Sequence, residues 1–407
     1  MQKTNQQPAL FTRAFILVAG INLFVFMGWQ MVVQGLPVYI AQLGANSIQV
    51  GLVTTLAIVA AVIVRPFIGA LVDRFGRKGF LIFGFGTMAL ITACYAVFPL
   101  VGVILALRVL HGVCWGVGGT ANATLAADTI PRQRFAEGMG YFGMTNSLAM
   151  ALGPVVAIWL LDIGRADLMI YVAAGFTLLA VGCAIFFFAK DYKQPALKTD
   201  GTLRDAFRLK NMFERTSVFP SITMGIMSMG FGAVQTFVVL LAAERGVTGV
   251  SIYFVTYAIT NVVTRPVSGR LVDQRGYLGA GVFSCLAFAC AILATAFCAS
   301  LLTFGAAGIL VGLGMGTGMS VFNSMAVAAA PPRSRGAATS TFLSCFNGGL
   351  GIGSLVAGFL AEAGGYQFAF LVMAVFPVLA CIFFLCGGKK RIDSYHVRQH
   401  APRDEQA

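Results

Sequence analysis

The chain has 407 residues, of which 58% are hydrophobic and 11% are charged, and its formal net charge is +13. A soluble protein carries about a quarter charged residues, so this composition excludes an ordinary soluble enzyme. The positive charge does not indicate a nucleic-acid partner, because the basic residues are concentrated in the tails and short loops on one side of a predicted membrane protein.

Twelve apolar segments follow one another, each close to the roughly 20 residues that a helix needs to cross a bilayer. They are predicted at 14–36, 48–70, 80–98, 101–125, 138–160, 168–189, 217–242, 249–271, 279–298, 301–325, 336–360 and 367–387. Backbone polar groups cannot stay unpaired in lipid, so each segment is predicted to be an α-helix. The expected fold is an all-α integral membrane protein. A cleaved signal peptide is not expected, because the first span is long and others follow.

Basic residues also predict the orientation of the helices. With an even number of spans both termini lie on one side, together with basic loop residues such as Arg74, Arg77 and Lys78. The positive-inside rule therefore predicts that both termini are cytoplasmic, in the cell membrane. The nine cysteines lie almost all within spans at spacings that match no metal site, so we expect apolar packing and no metal or cofactor.

One hydrophilic stretch divides the chain into two halves. The predicted units are a six-helix half at 1–189, a cytoplasmic linker at 190–216, a second half at 217–388 and a cytoplasmic tail at 389–407. The stretch VRPFIGALVDRFGRKGFLIF at 64–83 returns 200 residues later as TRPVSGRLVDQRGYLGAGVF at 264–283. Parallel repeats of this kind place a substrate site between the halves near the membrane midplane and let them rock around it.

The turn after the second span, GALVDRFGRKG, combines glycines with charged residues. Its first glycine permits close helix approach and the central one permits a sharp turn. An Asp–Arg–Asp network with the end of the fourth span would lock neighbouring helices in one conformation. An ordinary cytoplasmic charge cluster with a helix cap is the alternative. The residues of this predicted latch are Gly69, Asp73, Arg74, Gly76, Arg77, Lys78, Asp128 and the second-half Asp273.

Three of these stretches resemble motifs of the major facilitator superfamily. GALVDRFGRK resembles its loop signature, LALRVLHGVCWG at 105–116 its fourth-helix motif, and GMTNSLAMALGPVVA at 143–157 the fifth-helix motif of its antiporter branch. The resemblance implies a twelve-helix secondary transporter driven by an ion gradient. No Gly-x-x-x-x-Gly-Lys-Ser/Thr phosphate loop occurs, which agrees with a transporter that does not use ATP. Gly153 and Pro154 are expected to bend the fifth helix, because proline removes an internal hydrogen bond.

Arg108 and His111 stand out within the fourth span, whereas all acidic residues lie in loops, tails or span ends. Burying a cation in the bilayer costs ~2.5–3.5 kcal/mol on insertion scales, which indicates a functional role. Arg108 is predicted to bind an anionic substrate group or to tune coupling, and His111 is a candidate proton carrier. The alternatives are that Arg108 reaches the outer interface or bonds backbone carbonyls, and that His111 is a packed polar residue. Arg65 and Arg265 are expected to reach the headgroups near the cytoplasmic ends of their helices.

Isolated polar residues in other spans predict a mostly neutral, aromatic and amide-lined pocket. Hydrogen bonds between helices are the alternative role for each of them. The candidates are Asn22, Trp29, Gln30, Gln34, Asn122, Asn146, Gln235, Tyr253, Tyr257, Asn261, Asn323 and Asn347.

These features favour a monomeric exporter of a small amphipathic or zwitterionic metabolite, metallophore or drug, in exchange for protons. The fifth-helix motif favours export. The first span carries Asn22, Gln30 and Gln34 but no acid, unlike multidrug members of the family, which favours a polar or anionic substrate. Uptake by symport or facilitated diffusion is the alternative. A non-transporting receptor or a membrane enzyme is disfavoured, because no large soluble domain and no intramembrane nucleophile or metal cluster is visible.

Overall fold

The computed structural model describes residues 9–131, 134–190, 214–330 and 335–387. The tail at 389–407 and residues 191–213 of the linker lie outside these ranges. Long helices make up most of the described chain because its apolar runs must satisfy their own backbone groups. The helices are α1 Arg13–Gln42, α2 Ser47–Phe75, α3 Arg77–Val97, α4 Val101–Thr129, α5 Phe135–Asp162, α6 Ala166–Lys190, α7 Val218–Glu244, α8 Ser251–Arg275, α9 Tyr277–Ala296, α10 Leu301–Ala329, α11 Arg335–Met373 and α12 Val375–Cys386.

Ten stretches of the described chain are helical, long and apolar enough to cross a membrane. One of them, Ala338–Cys386, is 49 residues long and contains Gly365 at φ 82°. Gly76 separates α2 from α3 and Gly276 separates α8 from α9, and both have nearly the same backbone conformation as Gly365. Gly365 therefore divides the 49-residue stretch into two spans. Helix α8 is not among the ten, because it carries several Thr and Arg residues and Asn261. The all-helical membrane fold is confirmed, although ten segments of the described chain, rather than the predicted twelve, are long and apolar enough to be counted as spans.

Close helix contacts depend on glycine. Gly112 of α4 packs so tightly that an added Cβ would clash with the carbonyl oxygen of Ala57 in α2. At the matching place in the second half, a Cβ on Gly312 would lie 2.8 Å from the carbonyl oxygen of Tyr257. Helices α1 to α6 pack together as one group, and α7 to α12 pack together as a second group. The two groups contact each other where α2 meets α11, where α5 meets α8 and where α1 meets α7.

Among the described residues, the hydrogen bonds that join the two groups cluster at one end of the molecule, opposite the Gly76 turn. We call this cluster the end seal. It comprises Gln34 with Gln235, Thr54 Oγ1 with Thr236 Oγ1 at 3.0 Å, Thr55 Oγ1 with the Gly351 carbonyl at 2.7 Å, the Ser47 amide with Glu362 at 2.8 Å and the Gly249 amide with Asp162 at 3.2 Å. If both termini are cytoplasmic, as the sequence predicts, the end seal would close the outer side.

Candidate functional site

Helix α4 carries Arg108, His111 and Trp115 on one face, because side chains three to four residues apart are neighbours on a helix. Trp29 of α1 and Tyr95 of α3 pack against them. We call these five residues the Arg108 cluster. Arg108 and His111 have no exposed surface, and both tryptophans are buried as well. A charged group and a titratable ring are therefore enclosed by aromatic side chains in the first half.

The Arg108 guanidinium has unused donors. Its Nε donates to the carbonyl oxygen of Val53 in α2 at 2.7 Å, and its Cζ lies 5.5 Å from the centre of the Trp29 ring. Nη1 and Nη2 have no partner with full hydrogen-bond geometry among the described residues, although the Tyr95 hydroxyl lies close enough to interact with the guanidinium. The Arg108 side chain thus bonds a backbone carbonyl, which is one of the alternative roles considered from the sequence, but it does not reach the protein surface. Leaving buried charged donors unpaired is costly, so the site is suited to an added carboxylate or phosphate.

His111 is held by its neighbours through one ring nitrogen. Nδ1 lies 2.8 Å from the Tyr95 hydroxyl, and the two rings are stacked at 5.8 Å. The Trp29 ring meets His111 edge-on, with 5.4 Å between ring centres. Nε2 is buried and has no hydrogen-bond partner among the described residues.

Replacing His111 by glutamine is expected to remove the dependence of transport on pH, while slower transport persists. A histidine ring can take up and release a proton, and a glutamine amide cannot. The measurement is the initial transport rate of wild type and His111→Gln in membrane vesicles over a series of pH values. Tyr95→Phe is the matched control, because it removes only the hydroxyl that orients the ring. An unchanged pH profile in His111→Gln would exclude His111 as the proton carrier.

A second polar group, the asparagine cluster, joins α1, α4 and α5. Asn22 Nδ2 donates to Thr145 Oγ1 at 2.7 Å and to Asn146 Oδ1 at 2.5 Å. Asn122 Nδ2 donates to Asn22 Oδ1 at 2.9 Å, while the buried Oδ1 of Asn122 has no partner among the described residues. These amides therefore bond helix to helix within the first half, the alternative role for such residues.

Gln30 and Gln34 of α1 have different neighbours. Gln34 Nε2 donates to Oε1 of Gln235 in α7, so two sequence candidates meet across the halves in the end seal. Gln30 lies against Gly153 of α5, because a Cβ added to Gly153 would be 2.7 Å from the Cβ of Gln30. Helix α5 continues as one helix through Pro154. The described contact of Gly153 is close packing, and the bend stays a prediction.

The second-half candidates are distributed over α8, α10 and α11. The Tyr253 hydroxyl lies 3.2 Å from Thr295 Oγ1, and Asn261 Nδ2 donates to the Tyr257 hydroxyl at 3.5 Å. Asn323 and Asn347 are half-buried, and Oδ1 of Asn323 has no partner among the described residues. None of these five residues has a described hydrogen bond to the Arg108 cluster.

Sequence reasoning did not single out Tyr95 and Trp115. Trp115 lies seven residues after Arg108, so its shared helix face could have indicated a role. Tyr95 gives no comparable signal, because its contact with His111 depends on how α3 packs against α4.

The predicted latch contains one described ion pair. Arg77 Nε lies 2.9 Å from Asp128 Oδ2 and joins the start of α3 to the end of α4. Gly76 has φ 91°, a left-handed conformation that favours glycine. Arg74 and Lys78 are exposed, and Arg74 lies over the Phe75 ring. Gly69 and Asp73 lie in α2 and Asp273 in α8, but their side chains are outside the described part of the structure.

Replacing Asp128 by asparagine is expected to lower transport several-fold without lowering protein abundance in the membrane. The pair is partly exposed, with 11% and 24% side-chain exposure, and such pairs contribute only about 0–1 kcal/mol to stability. Its loss therefore affects the balance of conformations more than folding. The measurement is transport rate per folded protein. Asp73→Asn should lower transport in the same way. Asp167→Asn is the control, because it removes an exposed ion pair with Arg165, and it should transport normally. Full transport in both latch variants would refute the latch.

The helix arrangement, the end seal and the buried cation together define a multi-pass membrane transporter. The family model described as Major Facilitator Superfamily matches residues 18–305 and 220–403. The chain belongs to the major facilitator superfamily, as its motifs indicated.

Named relatives are distant. An uncharacterized MFS-type transporter of Methanocaldococcus jannaschii is 24% identical, over 90% of this chain and 96% of that protein. The staphylopine export protein of Staphylococcus aureus is 22% identical, over 84% of this chain and 87% of that protein. Among solved structures, the nucleoside transporter NupG aligns with a TM-score of 0.76 at 16% identity, over 93% of this chain and 100% of that chain. At this identity the structural likeness shows the fold alone.

Proposed function

We propose that the protein exports a small amphipathic or zwitterionic molecule that carries a carboxylate, by alternating access and in exchange for protons. The observation that carries this proposal is the fully buried Arg108, whose Nη atoms both lack a partner with full hydrogen-bond geometry among the described residues. A guanidinium presents paired N–H donors in a planar fork that matches a carboxylate. The substrate anion would supply the missing acceptors.

The aromatic part of the Arg108 cluster supports an amphipathic substrate. Trp29 and Trp115 are stacked, with 4.4 Å between ring centres and 10° between planes. Two large rings beside a cation provide an apolar surface next to an anion-binding group, which suits a molecule with both characters.

Proton exchange is proposed through His111. The sequence places no acid in the middle of a span, so the usual carboxylate carrier is missing. His111 lies three residues from Arg108 and has one ring nitrogen free of described partners. A proton on His111 would repel the neighbouring guanidinium, so the two charges are coupled. A bound substrate anion would attract that proton, so proton exchange requires His111 to be protonated only in the substrate-free transporter, whereas binding of both together would give the symport alternative.

Export is favoured over uptake by two observations. The fifth helix carries the Gly-Pro motif that resembles the antiporter branch, and a relative of matching length is named for staphylopine export. A metallophore is one member of the proposed substrate class. Uptake by symport or facilitated diffusion stays the alternative. The proposed location is the cell membrane, with cytoplasmic termini and a monomeric chain.

Untargeted mass spectrometry tests the proposal. Spent medium and cell extracts are compared between cells that overproduce wild type and cells that make Arg108→Ala at equal abundance. Export predicts a carboxylate compound enriched outside only with wild type. A compound that wild type accumulates inside the cell would show uptake instead. A cationic compound enriched outside would contradict the proposed substrate class.

A further inference from the structure

Two hydrogen bonds of the end seal are copies of each other in the repeat. In one, the Ser47 amide donates to Oε2 of Glu362 at 2.8 Å, and in the other the Gly249 amide donates to Oδ2 of Asp162 at 3.2 Å. The two acids are 200 residues apart, which is the offset of the repeat, and the two amides are 202 residues apart. One contact is therefore built twice, once from each half of the chain.

The turns that carry these groups are repeated as well. Gly44 and Gly246 are also 202 residues apart, and both have a left-handed backbone, with φ 87° and 67°, shortly before the two amides. Gly164 and Gly365 have φ 73° and 82° and follow the two acids by two and three residues. Glycine permits these corners at low cost. The two bonds therefore result from the architecture of the repeat and not from chance contacts at the surface.

Both bonds join a helix of one half to the start of a helix in the other. Asp162 ends α5 in the first half, and Gly249 lies two residues before α8 in the second. Glu362 lies in α11 of the second half, and Ser47 is the first residue of α2 in the first. The halves thus exchange roles between the two bonds. A rotation of one half against the other that opens this end of the molecule separates both.

Each carboxylate is suited to hold the start of a helix. The first amides of an α-helix lack partners within the helix, and the helix dipole places partial positive charge there. Asp162 and Glu362 are exposed, and neither has an ion-pair partner among the described residues. In this part of the chain, the amide of the opposite half is the only hydrogen-bond partner of either carboxylate. Both negative charges therefore act across the boundary between the halves.

We propose that Asp162 and Glu362 are positioning residues that form two matched clasps, which hold the end-seal side closed through their negative charge. The Asp162 clasp joins α5 to α8, and the Glu362 clasp joins α2 to α11. Because each half supplies one acid, loss of either clasp shifts the whole molecule toward the conformation that is open on this side. The clasps act in export and in uptake alike, so this inference goes beyond the proposed function.

Thiol labelling of the full chain in membrane vesicles tests the clasps. One reporter is Thr236→Cys, because the Thr236 side chain bonds Thr54 of α2 and Ser354 of α11. The other reporter is Ile158→Cys, which is buried in α5 one turn before Asp162. A membrane-impermeant reagent is applied to the end-seal side, which is the outside if both termini are cytoplasmic. The labelling rate at each cysteine is measured by peptide mass spectrometry.

Each neutral variant should speed labelling in the interface that it does not touch. Asp162→Asn should raise the rate at Thr236→Cys about two- to five-fold, and Glu362→Gln should do the same at Ile158→Cys, the range for one charge at a helix start. The double variant should multiply the effects to about four- to 25-fold, because distant sites add in free energy. Asp162→Glu keeps the charge and should label like its parent.

Asp167→Asn and Glu244→Gln are the matched controls. Each removes an exposed carboxylate on the same side of the molecule. Asp167 pairs with Arg165 of its own half, and Glu244 ends α7 without a described bond to the other half. Both controls should label at the rate of the parent.

The cross-interface readout separates a clasp from a local surface contact. If Asp162→Asn and Glu362→Gln speed labelling only in their own interfaces, or no more than the controls do, the clasps are overturned. Labelling needs no substrate, so its outcome does not depend on the spent-medium experiment, and the two proposals can fail separately.

Discussion

Arg108→Gln should lower the export rate by about 10- to 150-fold while the protein stays folded in the membrane. Hydrogen bonds to charged groups contribute about 1.5–3 kcal/mol, and each 1.4 kcal/mol corresponds to a factor of ten. Glutamine lacks the planar fork and the charge, so the two donors at Nη1 and Nη2 are lost. Folding should tolerate the change, because a neutral amide is easier to bury than an unpaired cation.

The measurement is the initial rate of export of the identified molecule from membrane vesicles, per folded transporter. Arg108→Lys is the matched control, because it keeps a charge without bidentate geometry, and it should lie between wild type and Arg108→Gln. If Arg108→Gln transports at the wild-type rate, the guanidinium is structural and the bond to the Val53 carbonyl is its main role.

Gly51→Leu should open the end seal and abolish most transport. Gly51 of α2 lies against α11, where an added Cβ would be 2.5 Å from the Ser354 carbonyl oxygen. Overpacking costs about 1–3 kcal/mol, which shifts a two-state equilibrium by about 5- to 150-fold toward the conformation with α2 and α11 apart. The neighbouring bonds of Thr54 to Thr236 and of Thr55 to the Gly351 carbonyl would be lost with it.

Opening is measured as the reactivity of Thr236→Cys with a membrane-impermeant thiol reagent applied from outside. Thr236 is buried in the seal, so labelling should be slow in the Thr236→Cys parent and at least about five-fold faster after Gly51→Leu. Gly86→Leu in α3 is the matched control, since a Cβ there meets nothing within 4 Å. Equal labelling with and without Gly51→Leu would show that the seal does not depend on this contact.

The sequence by itself determined the features that depend on one residue or one helix. Long apolar runs must be membrane helices because lipid offers no partner to the backbone, and the family signature lies in one short turn. Arg108 was identifiable because an intramembrane cation is costly wherever its helix packs. The repeat at a 200-residue offset predicted two related halves, and the close contacts of Gly112 and Gly312 agree with it.

The tertiary structure decided every feature that depends on how one helix is turned against another. Hydropathy does not show that His111 meets Tyr95, or that Gln34 meets Gln235 rather than lining a pocket. A side chain's partners depend on helix rotation and separation, and these are fixed by contacts between residues far apart in the chain.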